Sequence, residues 1–93
     1  MSSGYVLRLY VAGNAPNSMK ARSNLEAIIR ELLDGNCTIE EVDTLRDPAR
    51  ALEERIIVTP TLVRVRPLPA LRVVGDLSHH KIVVDTLGLG TKQ

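Results

Sequence analysis

The sequence predicts a small α/β domain with element order β-α-β-α-β-β-α and a four-stranded mixed sheet. Two observations carry that expectation. Stretches rich in β-branched residues with strand-like alternation are interleaved with stretches whose apolar residues recur at helical spacing. Clusters of Gly, Pro, Asn and Asp fall between them, where turns are needed. At 93 residues the chain has room for one domain, with an ordered core expected over about 5–87 and a frayed segment at 88–93.

The first strand is read at Tyr5-Val6-Leu7-Arg8-Leu9-Tyr10-Val11, closed by Gly13, and is apolar enough to be central. Asn14-Ala15-Pro16-Asn17-Ser18 is a turn, with Ser18 the expected N-cap of a helix running to Leu33. Met19, Ala21, Leu25, Ile28, Ile29, Leu32 and Leu33 supply its apolar stripe. Asp34-Gly35-Asn36 ends it, with Gly35 suited to a left-handed cap. Cys37–Asp43 reads as a polar strand near an edge. Asp47-Pro48 opens a short helix with Ala49, Leu52 and Ile56 on its apolar side. The run from Ile56 to Arg66 passes into a third strand, Pro67-Leu68-Pro69 forms a stiff turn, and Leu71–Val74 is the fourth strand. Ser78 is the expected cap of a last helix from His79 to Leu87. A right-handed crossover after the first strand, then a hairpin and closing helix, is the thioredoxin-like order.

Composition narrows the function. Tyr5 and Tyr10 are the only aromatic residues, too few for the stacking platforms that bind single-stranded nucleic acid. A net charge of +1 sets up no field for nucleic acid or an acidic membrane. Cys37 is the only cysteine, so an internal disulfide and a cysteine zinc site are both excluded. With no basic and apolar leader at Met1-Ser2-Ser3-Gly4 and no membrane-length apolar run, a cytoplasmic domain is expected.

In thioredoxin-like redox proteins the turn after the first strand carries paired cysteines, one activated at a helix N-terminus. Here that turn has no sulfur, and dithiol chemistry is excluded. Ser18 could instead activate glutathione, but a Ser at a helix start is first of all a cap. His79-His80 point about 100° apart on a helix and lack a third ligand, so no metal site is expected. Thr59-Pro60 before a strand matches the cis-proline turn of this fold, with Pro60 the expected cis residue. Arg8, Lys20, Arg22, Arg46, Arg64, Arg66 and Arg72 are mostly solubilising, yet Arg64 and Arg66 share a strand face and leave room for a basic stripe. No Gly-rich phosphate loop, paired carboxylates or hydrolase triad occurs. A non-enzymatic protein without a cofactor is the expectation.

Tyr5-Val6-Leu7-Arg8-Leu9-Tyr10-Val11-Ala12-Gly13-Asn14, then Pro16-Asn17-Ser18, Thr59-Pro60-Thr61-Leu62, the Pro67-x-Pro69 turn and Gly75-Asp76-Leu77-Ser78 together resemble the KaiB family. The resemblance runs from Tyr5 to about Leu87. It implies a clock or stress-timing regulator that binds the N-terminal ATPase ring of a hexameric KaiC-type protein and favours its dephosphorylation. It also implies capture of KaiA where that protein exists. Positions matching family residues linked to KaiC binding are Arg8, Lys20 and Arg72, beside Tyr5.

Family members exchange between a self-associating ground fold and a monomeric thioredoxin-like fold that differ in the second half. Ile82, Val83 and Val84 favour a strand over a helix by propensity, so a ground fold, dimeric or tetrameric, is expected for the free protein. Against the family pattern, the glycine and aspartate of the switch segment fall on Thr86 and Gly88, and the acidic tail is missing. Two rivals remain: a glutathione-binding fragment of a thioredoxin-fold enzyme, and a KaiB-like sensor domain of a SasA-type kinase.

Overall fold

The computed structural model describes residues 4–33 and 36–90. Strands β1 (Tyr5–Val11), β2 (Cys37–Asp43), β3 (Thr61–Arg66) and β4 (Leu71–Val74) form one sheet in the order β2-β1-β3-β4. β1 runs parallel to β2 and antiparallel to β3, and β3 and β4 form the closing hairpin. Helices α1 (Pro16–Ile28), α2 (Pro48–Glu53) and α3 (His80–Leu87) complete the expected order.

Alternation along β1 divides the core. Leu7, Leu9 and Val11 meet Leu62 of β3, Ala21, Leu25 and Ile28 of α1, and Val83 and Leu87 of α3. On the other face Tyr10, Val42 and Val63 form a smaller cluster covered by Ile56, just past α2. Thus α1 and α3 share one face and α2 lies over the other. Each fully buried Leu or Val contributes about 1.5–3 kcal/mol, so the first cluster dominates. β2, with Thr38, Ile39 and Glu41 exposed, is an edge, as its polarity implied.

Several boundaries differ from the sequence reading, each for a local reason. α1 starts at Pro16, whose fixed φ suits the first helical position. Ser18 is therefore inside the first turn and not its cap. Its buried hydroxyl accepts the Ala12 N–H at 3.1 Å, a donor left over where β1 ends. The buried stripe is Ser18, Ala21, Leu25 and Ile28, while Met19 is 54% exposed. A π-helical turn at Ile29–Leu33 follows; the expected cap at Gly35 lies outside the described residues. β3 begins at Thr61, and Ile57 and Val58 precede it exposed. On α2, Ala51 is the buried residue, and Leu52 and Ala49 face outward. Asp47 holds the position before α2 without a side-chain capping bond.

The last third shows the largest corrections. α3 begins at His80, and Ser78 does not cap it; its N–H instead donates to Asp76 Oδ1. Arg64 turns inward and is 8% exposed, while Arg66 is exposed, so no basic stripe forms. Gly88 takes a left-handed φ of 64° and the Leu89 N–H returns to the Val84 carbonyl, a Schellman-type end. That turn carries Leu89 into the core at 1% exposure, so the packed chain extends past residue 87. Residues 91–93 of the segment expected to fray lie outside the described residues.

Leu89→Ala is expected to lower stability by about 2–5 kcal/mol, as for other buried Leu truncations. Urea denaturation reads it as a lower midpoint with unchanged slope. A midpoint within error of the parent protein would show that Leu89 does not pack.

Candidate partner-binding surface

The turn after β1 is where this architecture places redox or thiol-transfer chemistry. Its polar groups are consumed internally. Gly13, at φ 54°, donates its N–H to Asp43 Oδ1 at 3.0 Å, and that oxygen also accepts the Leu45 N–H. Those bonds, Leu45 first, hold the Asp43 carboxyl below its ordinary range. Ser18 Oγ is buried and occupied, so it has no route to a ligand thiol. Cys37 sits on β2, and burial pushes its thiol up, away from the thiolate. The Thr59–Pro60 bond is cis, and the Pro60 carbonyl accepts the Gly75 N–H at 2.9 Å.

Beside this turn lies an open cleft of about 600 Å³ bordered by Arg22, Glu41, Asp43, Arg46, Asp47 and Arg50. Its charges compensate one another. Arg22 Nε and Nη2 grip Glu41 at 2.8–3.0 Å, and Nη2 also reaches the Gly13 carbonyl. Equal numbers of cations and anions select no ligand of one sign. Among the described residues no His, Cys, Asp and Glu group could hold a metal ion.

The adjoining row of residues on the sheet's α2 face is organised differently. Strand register sets Glu40, Arg8, Val63 and Arg72 in one row across all four strands. Arg8 Nε donates to Glu40 Oε1 at 2.8 Å and Arg50 Nη1 to Oε2 at 2.6 Å. These two guanidinium groups, Arg50 first, depress the Glu40 carboxyl to about 2. Arg72, exposed on the edge strand, donates to the Glu54 and Arg55 carbonyls at 3.0 and 3.2 Å, which end α2. It thereby holds the turn that closes α2, and no carboxylate among the described residues pairs with it. Exposed apolar residues lie close to these groups in sequence: Val74, two residues along β4 from Arg72, and Leu52 at 80%, Ile57 at 91% and Val58, on either side of Glu54 and Arg55; Leu45, Leu68 and Ile82 are exposed elsewhere on the domain.

Not all of the sequence-selected residues meet on this surface. Arg8 and Arg72 belong to the row. Tyr5 packs against the opposite core; its hydroxyl donates to the Gly88 carbonyl and accepts the Gly90 N–H, both at 3.1 Å. Lys20 is exposed on α1, where its charge assists Ser78 in lowering the Asp76 carboxyl. Thr86 is exposed on α3 and Gly88 caps it. The exposure of Ile57 and Leu52 has no signal in sequence, since each merely continues an apolar element.

The family model described as the KaiB domain matches residues 8–89 of this chain. The chain belongs to the KaiB family. It is 44% identical over 85 residues to the circadian clock oscillator protein KaiB of Synechococcus elongatus, covering 91% of this chain and 83% of that one. The KaiB protein of Microcystis aeruginosa is also 44% identical, with 91% and 82% covered. Among solved structures, the N-terminal domain of Synechococcus elongatus SasA superposes with a TM-score of 0.76 at 17% identity, covering 91% of this chain and 81% of that domain. Chloroplastic thioredoxin z gives 0.68 at 22% identity over 90% and 79% of the two chains. At those identities the likeness establishes the thioredoxin-like fold alone. Within the KaiB frame, Gly88 has a local cause: a Cβ there would stand 3.2 Å from Arg64 Nη1, and φ is left-handed.

The Glu40 hub gives a pH prediction. Its folded carboxyl sits at about 2, against about 4.3 unfolded, so its stabilisation is present above the unfolded value and disappears as pH falls toward 2. Glu40→Gln is expected to be less stable than the parent at pH 7, with the difference shrinking between about pH 4.3 and 2. Thermal melts across that range measure it. An unchanged difference would mean that the two arginines do not hold the carboxylate.

Proposed function

We propose that this chain is a non-enzymatic timing regulator that binds the N-terminal ATPase ring of a hexameric KaiC-type protein in the cytoplasm and favours its dephosphorylation. KaiA, where present, would be captured by that complex. The binding form is the thioredoxin-like arrangement, and the free chain also populates a self-associating arrangement of its second half. Family membership supports the choice of partner. The observation that carries the choice of surface is the exposure of Arg72 and of Val74 on the same strand, with Leu52, Ile57 and Val58 exposed on either side of the Glu54 and Arg55 carbonyls that Arg72 binds.

The physical logic is that of an interface hot spot. Apolar side chains already exposed cost little to bring to a partner, and their burial supplies the affinity. Arg72, which pairs with no carboxylate among the described residues, and the more distant Lys20 would steer an acidic partner surface. A chain divided between two arrangements binds with an apparent affinity reduced by the fraction in the competent one. Such a division also makes binding slow, which suits a timer. The glutathione alternative is disfavoured by the occupied Ser18 hydroxyl.

Titration with a KaiC-type ATPase, followed by size exclusion over hours, tests this reading. The expected result is co-elution with the ring. Ile57→Asp should weaken binding by at least about tenfold, as at an interface hot spot. Lys20→Glu should act mainly on the association rate and only at low salt, and Cys37→Ser should have no effect. Absence of any complex would refute the partner. Normal binding by both Ile57→Asp and Arg72→Glu would refute the surface.

A further inference from the structure

Arg64 is the most deeply buried cationic residue among the described residues, and it belongs to neither the cleft nor the exposed apolar surface. It lies on β3 on the α1 and α3 side of the sheet, next to Leu62 and opposite Leu7 and Leu71. Its guanidinium pairs with no carboxylate among the described residues. Nη1 donates to the Leu87 carbonyl at 2.7 Å, and Nη2 to the Pro69 carbonyl at 2.8 Å. Nε is buried without a partner. One rigid fork thus joins two segments that sequence does not join: the turn between β3 and β4, and the last residue of α3.

A burial of this kind is expensive unless both bonds are made. Desolvating a guanidinium and leaving an N–H unpaired is costly, and the charge-assisted bonds to two carbonyls offset it. Losing either carbonyl leaves the charge half-satisfied in an apolar setting. If the turn loosens, the bond to Leu87 becomes costly to keep, and if α3 lifts, so does the bond to Pro69. Gly88 completes the arrangement, since any Cβ at that position would crowd Nη1.

We propose that Arg64 is a positioning residue that couples the turn at 67–69 to the carboxyl end of α3, so that the two segments open and close as one unit. A loosened turn then propagates to α3 through the Arg64 side chain. This coupling follows from the geometry of the fold and not from the identity of any partner.

The test uses Leu68, whose side chain is exposed at the tip of the turn and outside the core. Leu68→Gly should loosen the turn alone. Native-state amide exchange on the monomeric fraction then reads α3 through the Val83 and Leu89 amides, with Leu9 and Tyr10 of β1 as controls. In the parent background, Leu68→Gly should speed exchange of the α3 amides on the order of tenfold, the scale of one charge-assisted bond, and leave the controls unchanged. In an Arg64→Lys background, where one ammonium cannot grip both carbonyls in fork geometry, the same change should add nothing. Arg64→Gln serves as a second background should the Lys variant not fold. Equal acceleration with and without Arg64 would overturn the proposal, as would no α3 response in the parent background whatever the variants do.

Discussion

Keeping α3 on the sheet is the constraint on which the remainder of this structure depends. The helix has eight residues, too few to be stable alone, and Ile82, Val83, Val84 and Thr86 are poor helix formers. Its helicity comes from tertiary packing: Val83, Leu87 and Leu89 fill the larger core. Polar bonds then fix its carboxyl end. Arg64 takes the Leu87 carbonyl, and the Tyr5 hydroxyl takes the Gly88 carbonyl and the Gly90 N–H. Those bonds reach from β1 and β3, the two central strands, so the end of the chain is tied to the middle of the sheet.

The opposite face repeats the device at lower burial. Arg72 binds the Glu54 and Arg55 carbonyls of the turn that closes α2, as Arg64 binds the Leu87 carbonyl that α3 leaves unpaired. The difference in exposure gives them different roles. Arg64 is sealed in the core and can only report on packing. Arg72 stands exposed on the edge strand, where Val74 is exposed as well. Arg8, shared with Glu40 and Arg50, links the α2 face to the central strand.

Element order, strand pairing class and the central place of β1 are legible in the sequence because alternation and helical spacing report burial directly. The absence of dithiol chemistry is legible for the simpler reason that the residues are not there. Helix starts near Ser18 and Ser78 are not legible, because a hydroxyl beside a helix can serve a neighbouring strand or turn as readily as the helix itself. The burial of Arg64 is hidden too, since no local signal marks an arginine whose partners are main-chain carbonyls 5 and 23 residues away. The exposure of Leu52 and Ile57 is invisible for a related reason: apolar residues left at the surface and those buried in the core look alike in sequence. Family resemblance picks out Tyr5 and Arg72 as positions without bonds; Tyr5 proves to be a clamp on the α3 end.

The central claim is that the form carrying out the function is the one with α3 docked through these bonds. Backbone NMR of the isotope-labelled chain, bound to an isolated N-terminal ATPase domain of a KaiC-type protein, tests it most directly. The account predicts helical Cα shifts over His80–Leu87 and cross-strand proton proximities between Arg8 and Val63 and between Val63 and Arg72. Extended shifts over residues 80–87 in that complex, with no sign of the β1–β3 pairing, would contradict it.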